Sequence, residues 1–251
     1  INSFEKGSFL RGLKVSEIIR RIDSDTNLVG ISNLFSFAYP AVEVLCQEIR
    51  KAYPEKKIVL GGPHPSALYD EILKNVPEVD FVAIGEGEES LLGLVNYLDG
   101  KLELNELSGL ATRDKSGNII VLNSSKRIKN LNQDNIPFPA RHLLPMENYI
   151  QAQEGHGPSS GRWTSILSSR GCPYGCTFCE SRRTVWIART PMDVVDEMEY
   201  CLKEWGINEF HFEDDNMTIN KERLIGICDE ILDRDLNIKW QTPNGIRASV
   251  T

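Results

Sequence analysis

The chain has 251 residues, enough for one large domain or two modest ones, with the 41% apolar and 25% charged content of an ordinary globular protein. A formal net charge of −8 argues against non-specific attachment to a nucleic acid backbone, which needs a basic surface. No run approaches the ~20 apolar residues that cross a bilayer, and no charged-then-apolar leader opens the chain, so a cytoplasmic location is expected. The first residue is Ile1, and Thr251 follows a strand-like run, which predicts a fragment cut at both ends.

Val15, Ile18, Ile19 and Ile22 recur at helical spacing, with Ser16 as a candidate cap. Leu28 to Ser32 reads as a strand, Ala41 to Ala52 as a helix, and Lys57 to Leu60 as a second strand stopped by Gly61-Gly62-Pro63. A helix over Leu68 to Asn75, a strand over Phe81 to Ile84 and a helix over Ser90 to Leu98 follow, with Gly85-Glu86-Gly87-Glu88 between the last two. Strands and helices alternating at this pitch predict a parallel sheet whose ligand sits beyond the carboxyl ends of its strands.

Residues 101–162 change character. Leu110 to Arg113 and Ile119 to Leu122 predict a hairpin, Ile136-Pro137-Phe138-Pro139 excludes helix and central strand, and Glu154 to Arg162 is rich in Gly, Ser and Pro. The stretch is expected to connect two domains, its last part flexibly. From Trp163 the pattern resumes. Thr164 to Ser168 reads as a strand, Thr190-Pro191-Met192-Asp193 opens a helix that Gly206 ends, and Glu209 to Glu213 is a second strand. Asn220 caps a helix with Leu224, Ile227, Cys228, Ile231 and Leu232 inward, and Ile238 to Thr242 is a third strand. The order β-α-β-α-β opens a wound sheet or a (β/α) barrel.

Three of the six cysteines, Cys172, Cys176 and Cys179, lie within ten residues in a C-x3-C-x2-C spacing. Three thiolates so close can bind three irons of an iron–sulfur cluster and leave the fourth open, where a substrate or cofactor can bind. Zinc sites favour two C-x2-C pairs or added histidines, and His156 and His211 are not at ligand spacing. Cys46, Cys201 and Cys228 fall in apolar helical patterns and read as core residues.

The run Ser168-Ser169-Arg170-Gly171-Cys172-Pro173-Tyr174-Gly175-Cys176-Thr177-Phe178-Cys179 resembles the cluster loop of radical S-adenosylmethionine (SAM) enzymes. That resemblance implies a 4Fe–4S cluster on the three cysteines, SAM chelating the open iron through its amino and carboxylate groups, and reductive cleavage to a 5′-deoxyadenosyl radical. Phe178 is expected to shield the cluster. Phe210-His211-Phe212-Glu213-Asp214-Asp215-Asn216 resembles the family's acidic strand-end motif, so Glu213, Asp214 and Asp215 are candidate SAM ligands. Trp240 to Arg247 is similar to the family's third strand end, adding Asn244 and Arg247. Arg247 is expected to pair with the SAM carboxylate, with Arg189 as the weaker candidate.

The first hundred residues resemble the cobalamin-binding domain often fused to these enzymes, through Val29-Gly30-Ile31-Ser32, Val59-Leu60-Gly61-Gly62-Pro63-His64-Pro65-Ser66 and Asp80 to Glu88. The resemblance assigns Ser32, Gly61, Gly62, Pro63, His64, Gly85, Glu86 and Gly87 to a cobalamin pocket. The family's axial-histidine motif, D-x-H-x-x-G, is not found in this chain, and His64 is not expected to be the axial ligand.

The implied architecture is α/β: residues 1–100 a partial Rossmann-like, flavodoxin-like cobalamin-binding domain, 101–162 hairpin and linker, and 163–251 the start of a radical SAM (β/α) barrel. The implied activity is methyl transfer to an unactivated centre, with a small-molecule substrate and a flavodoxin or ferredoxin as electron donor. Ring closure or rearrangement without cobalamin, and a non-catalytic iron–sulfur electron carrier, remain open alternatives. Methylthiotransferases carry further N-terminal cysteines, and only Cys46 lies there.

Overall fold

Short aliphatic runs alternate with amphipathic ones through both halves of the chain, and each half folds around its own parallel sheet. The computed structural model describes residues 2–4, 8–10, 12–124, 128–133, 135–179 and 181–247; Ile1, Glu180 and the terminal run to Thr251 lie outside them. Contacts divide the chain into two units, Ile1–Arg127 and Ile128–Thr251.

In the first unit, β1 (Asn2–Phe4) and β2 (Ser8–Leu10) pair antiparallel. α1 (Val15–Ile19) is capped by Lys14, not by Ser16, and the Glu17 carboxylate accepts the Lys14 backbone N–H at 2.8 Å. Then come β3 (Leu28–Ser32), α2 (Tyr39–Ala52), β4 (Lys57–Gly61), α3 (Pro63–Ala67), α4 (Tyr69–Asn75), β5 (Phe81–Ala83) and α5 (Gly87–Leu98). α2 starts two residues before the expected Ala41 because Pro40 suits a first helical turn. Pro63 likewise starts α3, which the sequence reading missed. α5 takes in Gly87 and Glu88, expected as loop, with Glu88 and Glu89 at its positive N-terminal end.

β3, β4 and β5 are parallel, and the hairpin β6 (Leu110–Arg113) and β7 (Ile119–Leu122) extends the sheet to the order β3-β4-β5-β6-β7. β4 is buried on both faces, which is why it reads as an apolar run. Ile58 and Leu60 meet Cys46 and Ile49 of α2 and Ile72 and Leu73 of α4; Val59 faces the other way with Phe81 and Leu94. The hairpin, expected within the connecting stretch 101–162, thus pairs into the sheet of the first unit. Ala111 enters one core face and Leu110 the other. Arg113 donates to the carbonyls of Val79 (2.7 Å), Val76 (2.8 Å) and Leu73, satisfying the orphan end of α4.

The second unit contains α6 (Met146–Ala152), β8 (Trp163–Ile166), β9 (Ser169–Arg170), β10 (Ile187–Ala188), α7 (Pro191–Trp205), β11 (Glu209–Phe212), α8 (Lys221–Asp233) and β12 (Lys239–Gln241). β8, β11 and β12 are parallel in that spatial order, and α7 and α8 connect them. The caps of α7 are those expected: Thr190 Oγ1 accepts the Asp193 N–H, and Gly206 ends the helix left-handed. Val194, Val195, Met198 and Cys201 of α7 and Ile227 and Ile231 of α8 pack on Ile166, Phe210 and Phe212. At roughly 1.5–3 kcal/mol per buried large side chain, this face supplies most of the unit's cohesion. Leu232, expected inward, is 74% exposed; Arg223 is buried in its stead.

The connecting stretch, whose last part was expected to be flexible, bonds to elements of the second unit. Arg141 is buried and bridges Glu197 of α7 (2.6 Å) to the Ser165 carbonyl of β8 (2.9 Å). Residues 153–161 form a strap bonded to β11 and β12: Ser160 donates to Glu209 through its N–H and hydroxyl, and Gln241 donates to the Pro158 carbonyl.

Candidate functional site

In the second unit the ends of three parallel strands meet. β8 leads through β9 into the cysteine loop, and antiparallel pairing of β9 with β10 closes the loop's base. Within it, Thr184 N–H donates to the Cys172 carbonyl (2.9 Å), Cys172 N–H to Thr184 Oγ1 (2.8 Å), and Arg183 N–H to the Tyr174 carbonyl (2.8 Å). Gly171 enters the loop at φ +84°, a conformation that favours glycine. Cys176 is exposed, and Cys172 and Cys179 are partly exposed.

Among the described residues, no three His, Cys, Asp or Glu side chains converge on one metal-ion position. The thiolates of an iron–sulfur cluster each bind a different iron and need no common point. The donor set, three thiols on one closed loop at a strand end, therefore fits the expected 4Fe–4S group. Phe178, expected as a shield, is 92% exposed.

The three adjacent acids after β11 separate into three roles. Asp214 is 2% exposed and accepts from Ser168 N–H (2.7 Å), Ser168 Oγ (2.6 Å) and Ser169 Oγ (2.5 Å). Burial pushes its carboxyl above the ordinary value, against the lowering by those donors. In this arrangement Ser168 and Ser169 occupy both oxygens of this candidate SAM ligand. Asp215 reaches the cysteine loop, accepting from Gly171 N–H (3.0 Å) and Ser181 Oγ (2.5 Å). Glu213 lines a cavity of about 640 Å³ with Ser165, Leu167 and Arg170, and its carboxylate accepts from His156 Nδ1 at 3.1 Å.

From the third strand end, Asn244 donates to the Asp214 carbonyl (3.2 Å) and Arg247 stacks on Tyr174 at 3.7 Å. Arg189, the weaker SAM candidate, is 7% exposed; Asp193 (2.5 Å), Glu197 and the Leu167 and Asp193 carbonyls occupy its guanidinium. Arg223 donates to the carbonyls of Ser168 and Arg189, both at 2.7 Å, and burial lowers its pKa to about 10 despite Asp214 nearby. Arg141, Arg223, Thr184, Ser181 and His156 were not singled out from the sequence as site residues. Only His156, set between two glycines, left a signal there.

In the first unit, Ser32, Gly61, Gly62 and Gly85 stand at the carboxyl ends of β3, β4 and β5. Gly62 has φ +102°, and a Cβ there would lie 2.5 Å from the Asn33 carbonyl oxygen. Ser66 links the ends of β4 and β5, donating to the Ala83 carbonyl (3.2 Å) and accepting the Gly85 N–H (3.1 Å). His64 follows Pro63 in α3 and is buried against Tyr39 at 4.5 Å, with Nδ1 on Ser36 Oγ (2.9 Å) and Nε2 without a partner. Glu86 caps α5 and Gly87 begins it. Partly exposed glycine-bearing strand ends beside a buried imidazole nitrogen with no partner among the described residues fit a large polar ligand such as cobalamin.

Residues 10–95 match the family described as the B12 binding domain. The chain is 34% identical over 90% of its length to an uncharacterized methyltransferase, PH0819, of Pyrococcus horikoshii. It is 32% identical over 95% of its length to the anaerobic magnesium-protoporphyrin IX monomethyl ester cyclase of Rubrivivax gelatinosus. It spans 47% and 41% of those two proteins. The fold is similar to that of the cobalamin-dependent SAM radical enzyme OxsB, solved with aqua-cobalamin and SAM, at a TM-score of 0.72 and 23% identity over 91% of this chain and 32% of that one. The relatives and structural neighbours of the chain thus include cobalamin-dependent radical SAM enzymes, and its residues 10–95 match the B12 binding domain. Among the described residues, no helix is long and apolar enough to cross a membrane.

Proposed function

We propose that this protein is a radical SAM enzyme with Cys172, Cys176 and Cys179 as the ligands of a 4Fe–4S cluster. Cobalamin lies at Ser32, Gly61, Gly62, Pro63, His64, Gly85, Glu86 and Gly87. The observation that carries the reading is the closed three-thiol loop after the first of three parallel strands, tied to the second strand end through Asp215. When bound, the cluster supplies an electron that breaks a carbon–sulfur bond of SAM, and cobalamin supplies a methyl carrier.

The chain's own residues hold and orient. Glu213 accepts hydrogen bonds from the SAM amino group, and Arg247 swings from Tyr174 to pair with the carboxylate. Asp214, Arg223 and Asn244 keep the strand ends in place. The reaction is methyl transfer to an unactivated centre of a small molecule, with a flavodoxin or ferredoxin supplying electrons. The methyltransferase relative favours this outcome, and the cyclase relative keeps ring closure as a second reading.

Anaerobic reconstitution with iron and sulfide, reduction and EPR spectroscopy test the proposal. A cluster spectrum that changes on adding SAM is expected; an unchanged spectrum sinks the enzyme reading. Corrinoid absorbance that stays with the protein through gel filtration is expected, and a colourless protein removes cobalamin from the scheme.

A further inference from the structure

Residues 153–161 make close contacts with the second unit's sheet. Gly155 lies where a Cβ would come 3.0 Å from the His211 ring and 3.1 Å from Trp163. A Cβ on Gly157 would be 2.7 Å from Gln241, and one on Gly161 would be 2.9 Å from Asn208. The glycines are thus contact points, each pressed on a side chain of the sheet. Ser160 on Glu209 (2.8 and 3.0 Å), Lys239 on Ser160 (3.0 Å) and Gln241 on Pro158 (2.8 Å) complete the seam. His156, between two of these glycines, is delivered to the end of β11.

Its Nδ1 stands 3.1 Å from Glu213 Oε2. A carboxylate only accepts, so the imidazole donates. The Glu213 side chain is 27% exposed and that of His156 is 64% exposed. A free surface pair of this kind contributes about 0–1 kcal/mol because two mobile side chains must be ordered. Here the strap's bonds to β11 and β12 place the backbone that carries His156, so the hydrogen bond can be spent on direction.

We propose that His156 is a positioning residue for Glu213: it holds Oε2 and turns Oε1 toward the amino group of a ligand in the adjoining cavity. The assignment rests on the reading that Glu213 receives SAM. It implies that part of the binding chemistry comes from a segment ahead of the first barrel strand.

A double-mutant cycle on the cluster-loaded full-length protein tests this, with SAM affinity read by equilibrium dialysis and the SAM-dependent EPR change as a second measure. Iron content checks that each variant is intact. His156→Ala is expected to weaken SAM binding about fivefold. His156→Asn, whose side-chain amide can donate from nearly the same place, is expected to restore most of that loss. In a Glu213→Gln background, His156→Ala is expected to add nothing. If Glu213→Gln weakens binding and His156→Ala does not, or if the two effects add, the positioning role is overturned while Glu213 remains a ligand. If neither substitution changes SAM affinity, the reading of Glu213 falls, and this assignment falls with it.

Discussion

The two units finish their parallel strands with opposite chemistry. In the first, the strand ends are mostly backbone: Gly62 at φ +102° and Gly85 at φ +81°, with Ser66 linking two strands. In the second they carry side chains, with three thiols in one loop and acids in the next. Their interiors differ as well. The first unit's two core faces are aliphatic and aromatic, with Arg50, Asp80 and Arg113 at the margins and buried Lys56 donating to the carbonyls of Asp23, Ser24 and Thr26. The second buries Arg141, Arg189, Asp193, Glu197, Asp214 and Arg223 close to the strand that feeds the cysteine loop. Buried charges are expensive unless fully paired, so they are weak evidence of stability. Their use here is geometric, since Arg189, Arg223 and Asp214 clamp Leu167, Ser168 and Ser169 from three sides.

The sharpest break of this contrast is Cys172→Ala. It should abolish the SAM-responsive EPR signal and most iron binding, yet leave corrinoid binding by the first unit unchanged. Retention of a full cluster would mean that the thiols are not the ligands. Next in size is Asp214→Ala, which strands three buried donors and should cost about 3 kcal/mol in urea unfolding. Asp215→Ala, at an exposed position, should cost about 1 kcal/mol or less but loosen the cysteine loop to proteolysis. Equal costs would dissolve the distinction drawn between the two acids.

A backbone-built site predicts sensitivity to a single methyl group. Gly62→Ala should cost about 2 kcal/mol through strain and collision with Asn33, and weaken corrinoid retention. Gly87→Ala has open space within 4 Å and should be neutral or stabilise by about 0.5 kcal/mol. The smallest effect concerns the cysteines outside the cluster loop. Burial raises the thiol of Cys46 from 9.0 to about 12 and that of Cys201 from 9.0 to about 11. The folded state thus prefers both protonated; this contribution is complete below pH 9 and is lost as pH rises toward 11–12. In native cluster-free protein near pH 8.5, iodoacetamide should label Cys176 and spare Cys46 and Cys201. Rapid labelling of either would show that these core positions open readily.

Local grammar made much of this legible. Thr190, Pro191 and Asp193 announced the start of α7, and Gly206 its end, because capping is settled within one turn of chain. The cysteine loop was legible because its ligands are sequence neighbours. The hairpin β6–β7 was legible as a hairpin but not as part of the first sheet. Its partner β5 and the α4 carbonyls bound by Arg113 lie far back in the chain. The contacts of residues 153–161 were not legible for a related reason: glycines that give freedom in an isolated segment are also the residues that permit close contact, and composition does not distinguish the two.

By itself, then, the sequence determined the alternation of strands and helices, the helix caps and the three-thiol loop, all governed by residues a few positions apart. Only the tertiary structure decided which of three consecutive acids is buried, which reaches the loop and which faces a cavity. It also decided that a histidine from an apparent linker meets the last of these. Those outcomes depend on what stands opposite each side chain: Ser168 and Ser169 for Asp214, Gly171 and Ser181 for Asp215, His156 for Glu213. Partners separated by dozens of residues leave no spacing to read, because their meeting is set by strand register and packing.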